Sequence, residues 1–177
     1  DAHDGSVYMA MEMLVGETLA ERIEGLELFD SRMNPYDILL AMQPIVTALQ
    51  TAHKMGIIHR DLKPSNIFLI SPEAGGGARL MDFGLAKAWA PEPSSSESSD
   101  EAAALDTMTT DQTTPGAVVG TMSYMAPEQA RGKPVDKRAD IWAFGVVLFE
   151  MLTGRRLFAR ETPSDVVVAV LTHEPDW

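Results

Sequence analysis

Apolar residues recur at helical spacing in two long stretches of the chain. In the first, they lie three and four positions apart between Asn34 and Leu49, which predicts a helix with one buried face. Asn34 and Pro35 form a typical helix start, since Asn caps the first turn and Pro fits the first helical position. Pro44 cannot donate a backbone hydrogen bond, so we expect a kink there or a helix that begins close to it. The apolar stripe consists of Ile38, Leu39, Met42, Ile45, Val46 and Leu49.

The second stretch follows Asp136 and is apolar on nearly every face of a helix until Gly154 stops it. This pattern predicts the central buried helix of a domain. Its longest apolar run, residues 141–152, is interrupted by Glu150 and is too short to cross a bilayer. Residues 162–172 then predict a shorter helix.

Four segments are typical of extended structure. Residues 7–14 and 67–70 predict strands, and residues 56–58 predict a short extended piece. Three glycines at 75–77 predict a turn before a further strand at residues 79–81. The polar residues with candidate chemistry lie on the loops that these segments hold.

The composition supports a folded domain and excludes several functions. The chain has 177 residues, of which 45% are hydrophobic, enough to bury a core as one domain or a large part of one. Its formal net charge of -12 opposes binding to nucleic acid, whose phosphates are held by clustered Lys and Arg. It has no cysteine, which excludes disulfides and cysteine-based zinc sites. We also expect no signal peptide and no membrane contact from this segment.

Residues 91–115 differ sharply from the rest of the chain. They contain five Ser, five Thr and six acidic residues, with no basic and no aromatic residue. Such a segment buries too little apolar surface to offset the entropy lost on ordering, so we expect it to be flexible. A plain flexible insertion and a regulatory one both fit this composition.

Two polar motifs lie on the predicted loops. Residues 59–66 have the sequence HRDLKPSN, and the triplet DFG at residues 82–84 begins sixteen positions after Asn66. Transfer of a phosphoryl group to a hydroxyl builds negative charge on oxygens that must be aligned and neutralised. Asp61 is suited to accept the proton of the attacking hydroxyl, and Lys63 to place its ammonium at the transferring phosphate.

The second motif adds ligands that suit Mg²⁺. This cation prefers oxygen and commonly uses one or two carboxylates plus substrate phosphates, which Asp82 and the side-chain oxygen of Asn66 supply. Gly84 would let the backbone turn so that Asp82 faces the nucleotide while Phe83 packs inward. We expect His59 to be a packed, structural histidine rather than an acid or base.

A third motif, APE at residues 126–128, lies downstream in the order expected of protein kinases. With it the chain resembles a protein kinase, specifically the C-lobe of a eukaryotic-like Ser/Thr kinase of the bacterial type. Residues 59–61 resemble the catalytic-loop triplet, residues 82–84 the magnesium triplet, and residues 126–128 the end of the activation segment. The resemblance implies an α+β, protein kinase-like fold, mostly the α-helical C-lobe with the last N-lobe strand and the hinge.

The resemblance also implies boundaries within the chain. Residues 1–14 would form the last N-lobe strand and hinge, and residues 15–177 the C-lobe, with an activation segment at 82–128 that contains the insertion at 91–115. The glycine-rich loop, the Lys of strand three and its Glu partner have no counterpart, so the N-lobe is largely absent from this chain. The late Arg that pairs with Glu128 is also missing. We therefore expect this piece alone to be nearly inactive.

A nucleotide site follows from the same resemblance. Asp61, Lys63 and Asn66 would have catalytic roles, and Asn66 and Asp82 would bind the metal. Met11 resembles the gatekeeper. The residues implied to contact ATP are Glu12, Met13 and Leu14 of the hinge, together with Lys63, Asn66, Phe68 and Asp82.

Supporting roles are implied for further positions. Thr121, in a docking segment that begins at Gly120, would bridge Asp61 and Lys63. Asp140 would cap the buried helix and tether the backbone of the catalytic loop. Arg60 would bind an activating phosphate on the activation segment. The candidate acceptors are Thr107, Thr109, Thr110, Thr113 and Thr114.

The function implied is an ATP-dependent Ser/Thr protein kinase that uses Mg²⁺ and acts on Ser and Thr hydroxyls of protein substrates. A homodimer for trans-autophosphorylation fits this class, as does a cytoplasmic location for the catalytic domain. The alternative is a pseudokinase or scaffold module that keeps the fold without turnover. A small-molecule phosphotransferase is disfavoured by the docking segment at residues 120–128.

Overall fold

The computed structural model describes residues 12–28, 31–83 and 121–174. The first elements are strand β1 (Gly16–Thr18) and helix α1 (Leu19–Glu27), followed by the long helix α2 (Pro35–Lys54). Strands β2 (Ile67–Ile70) and β3 (Ala78–Leu80) come next. The remaining helices are α3 (Pro127–Ala130), α4 (Arg138–Thr153) and α5 (Pro163–Thr172). Two 3₁₀ turns, Pro64–Asn66 and Pro72–Ala74, flank β2.

Helix α2 begins where the sequence predicts. The side-chain oxygen of Asn34 accepts a hydrogen bond from the Tyr36 backbone N–H at 2.8 Å, and Pro35 occupies the first turn. The helix runs without interruption through Pro44 to Lys54, so the expectation that it begins near Pro44 is wrong. Packing of the apolar face against the core outweighs the one missing backbone donor.

The three strands form an antiparallel sheet in the order β1, β2, β3. Gly16 pairs with Ile70, and Phe68 lies between Thr18 and Arg79. A Cβ atom at Gly16 would lie 1.9 Å from the Leu69 carbonyl oxygen, so only glycine allows β1 this close to β2. Strand β1 and helix α1 were not predicted. A capping box of Thr18 and Glu21 starts α1.

Helix α4 connects two hydrophobic clusters. Ala143, Val147 and Met151 pack with α1, α2 and the sheet, whereas Val146 packs with Phe158 and α5. The prediction that this helix lies at the centre is confirmed. Its apolar character extends beyond the buried face, since Ile141 and Leu152 are exposed.

Strands β2 and β3 and helix α5 are confirmed, with at most a one-residue shift. The strand predicted at residues 7–14 is not found at residues 12–14, which have irregular backbone, and residues 7–11 lie outside the described part of the chain. Helix α5 begins at Pro163 after Thr162, whose hydroxyl accepts a hydrogen bond from the Asp165 N–H at 3.2 Å. Strand β3 lies one residue earlier than predicted, and residues 56–58 form no strand. Across the described ranges, no helix combines the length and apolar character needed to cross a membrane.

Candidate active site

The loop at residues 59–66, here called the catalytic loop, is anchored to helix α4 through Asp140. The backbone N–H groups of His59 and Arg60 donate to the Asp140 carboxylate at 2.9 and 2.8 Å. His53, near the end of α2, adds a ring nitrogen 2.6 Å from the same carboxylate. Asp140 is 1% exposed. The predicted tether is therefore confirmed, because a buried acceptor with three nitrogen partners fixes the start of the loop.

Asp140 does not cap helix α4, contrary to the prediction. The N-cap position is Lys137, and no side chain there bonds to the helix. Asp140 lies in the first turn, inside the helix, and its carboxylate is committed to the catalytic loop. Tertiary hydrogen bonds thus take the place of the local cap.

His59 supports the loop from within the core. Its side chain is fully buried, and its Nε2 lies 2.9 Å from the Met81 carbonyl oxygen, just after β3. The ring of Phe83 contacts it edge-on, with centroids 4.8 Å apart. These contacts agree with a structural histidine. Phe83 itself is 39% exposed, so it packs inward only in part.

Asp61 and Lys63 form the polar centre of the site. The Lys63 ammonium lies 2.8 Å from the Asp61 carboxylate and donates to the Thr121 hydroxyl at 3.2 Å. Lys63 thus joins the catalytic loop to the docking segment, here residues 120–128. Both charged side chains keep contact with solvent, at 40% exposure for Asp61 and 20% for Lys63. Their opposite charges are available to an incoming substrate.

Asn66 is oriented by Asp61. Its amide nitrogen donates to the Asp61 backbone carbonyl at 2.8 Å and to the Asp61 carboxylate at 3.1 Å. Because both partners accept hydrogen bonds, the side-chain NH₂ must lie on that side. The amide oxygen therefore points the other way, where it can act as a cation ligand. Asn66 is buried, so this orientation is held by packing as well.

Asp82 follows β3 and is brought to the same edge of the fold. The Met81 N–H donates to the Asn66 backbone carbonyl at 2.8 Å, so Asp82 comes one residue after a direct contact with the catalytic loop. Its side chain is exposed. An exposed carboxylate and an oriented amide oxygen fit the donor set of Mg²⁺ with nucleotide phosphates.

Two non-glycine residues of the site have left-handed backbones. Arg60 has a φ angle of 67° and Asp82 one of 59°. Such angles are uncommon for residues with a side chain and persist where the surroundings determine them. Sequence reasoning assigned the turn near Asp82 to Gly84, which lies outside the described residues.

The predicted nucleotide contacts lie in two parts of the chain, the segment before β1 and the catalytic loop with strand β2. Glu12, Met13 and Leu14 have irregular backbone before β1, and Met13 is exposed on that segment. Phe68 lies on β2, and its ring is against Gly16, as the 3.0 Å approach to an added Cβ there shows. The catalytic loop, with its polar cluster, directly precedes β2. The hinge and Phe68 assignments remain predictions.

A second buried cluster lies beside the docking segment. The Tyr124 hydroxyl is 2.5 Å from the Glu150 carboxylate, and Arg156 is 3.6 Å from its other oxygen. Burial raises the pKa of Glu150, while the Tyr124 hydrogen bond and the Arg156 charge oppose the increase. The pKa of Tyr124 is raised by burial and by the negative charge of Glu150. Tyr124 thus ties the docking segment to α4.

Sequence reasoning missed several residues that shape the site. Sequence reasoning assigned no role to His53 or Gln129, and it treated Glu150 only as a break in an apolar run. The Gln129 side chain contacts both Ala126 and Arg60. A Gln three residues after a helix N-cap is half of a capping-box signature, and the signal is weak because Ala126 at the N-cap has no side-chain acceptor.

Some predictions concern positions outside the described residues. These are the gatekeeper Met11, Gly84, Gly120, and the insertion at 91–115 with its five candidate phosphorylation sites.

Comparison with known proteins identifies the fold that this site belongs to. The sequence profile of the protein kinase domain matches residues 2–174. The chain is 39% identical over 168 residues, 95% of its length, to a probable serine/threonine-protein kinase of Corynebacterium efficiens. It is 41% identical over 88% of its length to a probable serine/threonine-protein kinase PknB of Bifidobacterium longum. It is 34% identical over 98% of its length to the serine/threonine-protein kinase pkn3 of Myxococcus xanthus.

The chain belongs to the protein kinase domain family, and it is similar to bacterial Ser/Thr kinases in particular. It covers only part of each relative: 22% of the C. efficiens protein, 19% of the B. longum protein and 29% of the M. xanthus protein. The antiparallel sheet with a mostly helical body agrees with the α+β kinase fold implied by the motifs.

Proposed function

We propose that the protein containing this chain is an ATP-dependent Ser/Thr protein kinase, which transfers the γ-phosphoryl group of ATP to Ser and Thr hydroxyls of proteins. The cluster of Asp61, Lys63, Asn66 and Thr121 carries this proposal. Its four side chains come from two separate segments and are joined by contacts of 2.8 to 3.2 Å. The names of the bacterial relatives support the same activity.

Each residue of the cluster has one task in the proposed reaction. The oxygen of the substrate hydroxyl forms a bond to the γ-phosphorus of ATP while the bond from that phosphorus to the leaving ADP oxygen breaks. The Asp61 carboxylate accepts the proton that the hydroxyl loses. The Lys63 ammonium, between Asp61 and Thr121, neutralises charge on the transferring group. The amide oxygen of Asn66 and the carboxylate of Asp82 would hold Mg²⁺, which would supply charge neutralisation at the nucleotide phosphates.

ATP, protein substrates and Mg²⁺ are the ligands that this proposal requires. The hinge backbone at residues 12–14 and the ring of Phe68 would contact the adenine. We also propose a cytoplasmic catalytic domain that phosphorylates its own activation segment through a transient homodimer. Arg60 would bind the phosphate that results.

The direct test is autophosphorylation of the complete protein with radiolabelled ATP and Mg²⁺. Asp61→Asn removes the proton acceptor, and we expect labelling to fall by about 10²- to 10⁴-fold. Asp82→Asn removes the anionic metal ligand and should lower labelling strongly at a fixed Mg²⁺ concentration. Asp37→Asn is the matched control, because Asp37 is an exposed acid in the first turn of α2. Equal labelling in all four proteins would overturn the proposal.

The regulatory part has its own test. Mass spectrometry of the active enzyme should find phosphate on at least one Thr between residues 107 and 114. An active enzyme without phosphate on any of these would remove the regulatory role while leaving the catalytic assignment intact.

A further inference from the structure

The two peptide groups that flank Arg60 are held by two different helices. Its N–H donates to the Asp140 carboxylate of α4 at 2.8 Å, and its carbonyl accepts from the Gln129 side chain of α3 at 2.9 Å. Arg60 has the left-handed backbone, with φ of 67°, and it directly precedes Asp61. A strained conformation persists when its surroundings determine it from more than one side. The two helices therefore fix the direction in which the chain enters Asp61.

The Gln129 side chain makes two opposite kinds of hydrogen bond. Its Oε1 accepts from the Ala126 backbone N–H at 3.0 Å, and its Nε2 donates to the Arg60 carbonyl. A side-chain amide combines an acceptor and a donor at one end in this way. Asn has the same groups on a shorter side chain. Gln129 therefore joins the docking segment, at Ala126, to the peptide before Asp61.

The same amide borders the cleft in which a substrate hydroxyl would lie. Asp61, Thr121 and Gln129 all line the depression between the catalytic loop and the docking segment. A shift of the Arg60 carbonyl would rotate the peptide that carries Asp61 relative to Thr121 and Lys63. A misplacement of about 1 Å at a reacting group can cost about 10²-fold in rate.

We propose that Gln129 is a positioning residue, which acts through the Arg60 backbone to hold Asp61 in line with the docking segment. This inference rests on the proposed kinase function. Gln129 does not touch the reacting atoms. Through this one side chain, the position of Asp61 is coupled to the position of the docking segment.

Gln129→Glu separates the two hydrogen bonds. The carboxylate still accepts from the Ala126 N–H, but it cannot donate to the Arg60 carbonyl and instead repels it. We expect kcat of the complete protein to fall by about 10- to 100-fold at pH 8, with KM for ATP changed by less than about twofold. Gln43→Glu is the matched control, since Gln43 is an exposed glutamine in the middle of α2. It should change neither parameter by more than about twofold.

The pH profile distinguishes a positioning role from a merely structural one. When the carboxyl group introduced by Gln129→Glu is protonated, it carries an O–H that can again donate to the Arg60 carbonyl. Because a Glu carboxyl ordinarily titrates at about pH 4.3, the activity of Gln129→Glu, divided by that of the wild type, should rise as the pH falls from 8 to about 5. Gln129→Met has a similar length but no donor at any pH, so its activity relative to wild type should stay low throughout.

Hydrogen exchange gives a readout that does not depend on activity. Amides of residues 59–66 should exchange faster in Gln129→Glu and Gln129→Met than in the wild type and in Gln43→Glu. If the wild type transfers no phosphate but this pattern appears, the proposed function fails and the coupling of Gln129 to the catalytic loop stands. If the wild type is active and both Gln129 variants keep its kcat and exchange rates, the inference is overturned. A Gln129→Glu deficit that is identical at every pH from 8 to about 5 also overturns it.

Discussion

Helix α4 carries two buried acids, Asp140 near its start and Glu150 near its end, and they are satisfied in different ways. Asp140 is 1% exposed, accepts from two backbone N–H groups and lies against His53. Glu150 is 3% exposed and is paired with one phenol and a more distant guanidinium. Both acids hold a functional loop to the same helix. Asp140 holds the catalytic loop, and Glu150 holds the docking segment through Tyr124.

The difference lies in the donors. Backbone N–H groups keep their protons at every working pH and cannot rotate away, so the contact with Asp140 is permanent while the fold is intact. Glu150 depends on side chains, and burial without enough donors raises its pKa. One helix therefore anchors the catalytic loop rigidly, and it anchors the docking segment by a contact that responds to protonation.

The largest effect should come from Asp140→Ala. It leaves the N–H groups of His59 and Arg60 without their acceptor in a buried place, and each such loss costs about 1–3 kcal/mol. We expect the free energy of unfolding to fall by about 3 kcal/mol or more in urea denaturation. The control, Asp37→Ala at an exposed helix start, should cost less than about 1 kcal/mol. Equal losses in the two variants would mean that the tether does not stabilise the fold.

Tyr124→Phe should have the next largest effect. It removes the hydroxyl that donates to Glu150 and leaves a buried carboxylate with one distant partner. The expected loss is about 1–3 kcal/mol in the free energy of unfolding at neutral pH. Tyr36→Phe, at an exposed position on α2, is the matched control and should be within about 0.5 kcal/mol of the wild type. A Tyr124→Phe variant as stable as this control would show that the phenol is not the partner that matters.

Glu150→Gln tests the sign of the pH dependence. Because burial raises the pKa of Glu150, the folded state holds this proton more tightly than the unfolded chain. Its contribution to stability is fully present below the ordinary carboxyl value of 4.5 and is lost as the pH rises through the raised pKa. The Gln variant should lack this decline, so its stability relative to the wild type should improve from about pH 4 towards neutral in thermal unfolding.

Glu21→Gln supplies the opposite case. The backbone and side-chain hydrogen bonds with Thr18 hold the pKa of Glu21 below its ordinary value. The contribution of Glu21 to stability is present above its ordinary pKa and is lost as the pH falls. The stability of Glu21→Gln relative to the wild type should therefore decrease as the pH rises. If the relative stabilities of Glu150→Gln and Glu21→Gln changed in the same direction with pH, the assigned pKa shifts of Glu150 and Glu21 would be contradicted.

The sequence predicts this molecule best where one short segment contains the whole signal. Helices α2 and α5 carry their capping residues and apolar spacing locally, and Asp61, Lys63 and Asn66 occur within six positions of one another. The partners of these residues were not predictable in the same way. His53 lies 87 positions from Asp140, and Gln129 lies 69 positions from Arg60, so only the packed fold shows these contacts.

Helix α1 shows a different reason for a missed element. Its capping box at Thr18 and Glu21 was present in the sequence, but only Leu19 and Ile23 are buried along its nine residues. A helix with two buried positions gives a weak periodic signal. Its position is determined by packing against β2 and the 3₁₀ turn Pro64–Asn66. Tertiary contacts, rather than local preference, decide such elements.

The smallest effect should come from Arg156→Gln. The guanidinium lies 3.6 Å from Glu150 and is 45% exposed, so solvent screens its charge and water replaces it readily. We expect a loss of less than about 1 kcal/mol in the free energy of unfolding, similar to that of Arg155→Gln, its exposed neighbour. Raising the salt concentration should reduce even this difference. A loss as large as that of Tyr124→Phe would instead make Arg156 the principal partner of Glu150. Asp140 and Glu150 would then differ in charge pairing rather than in the number of neutral donors.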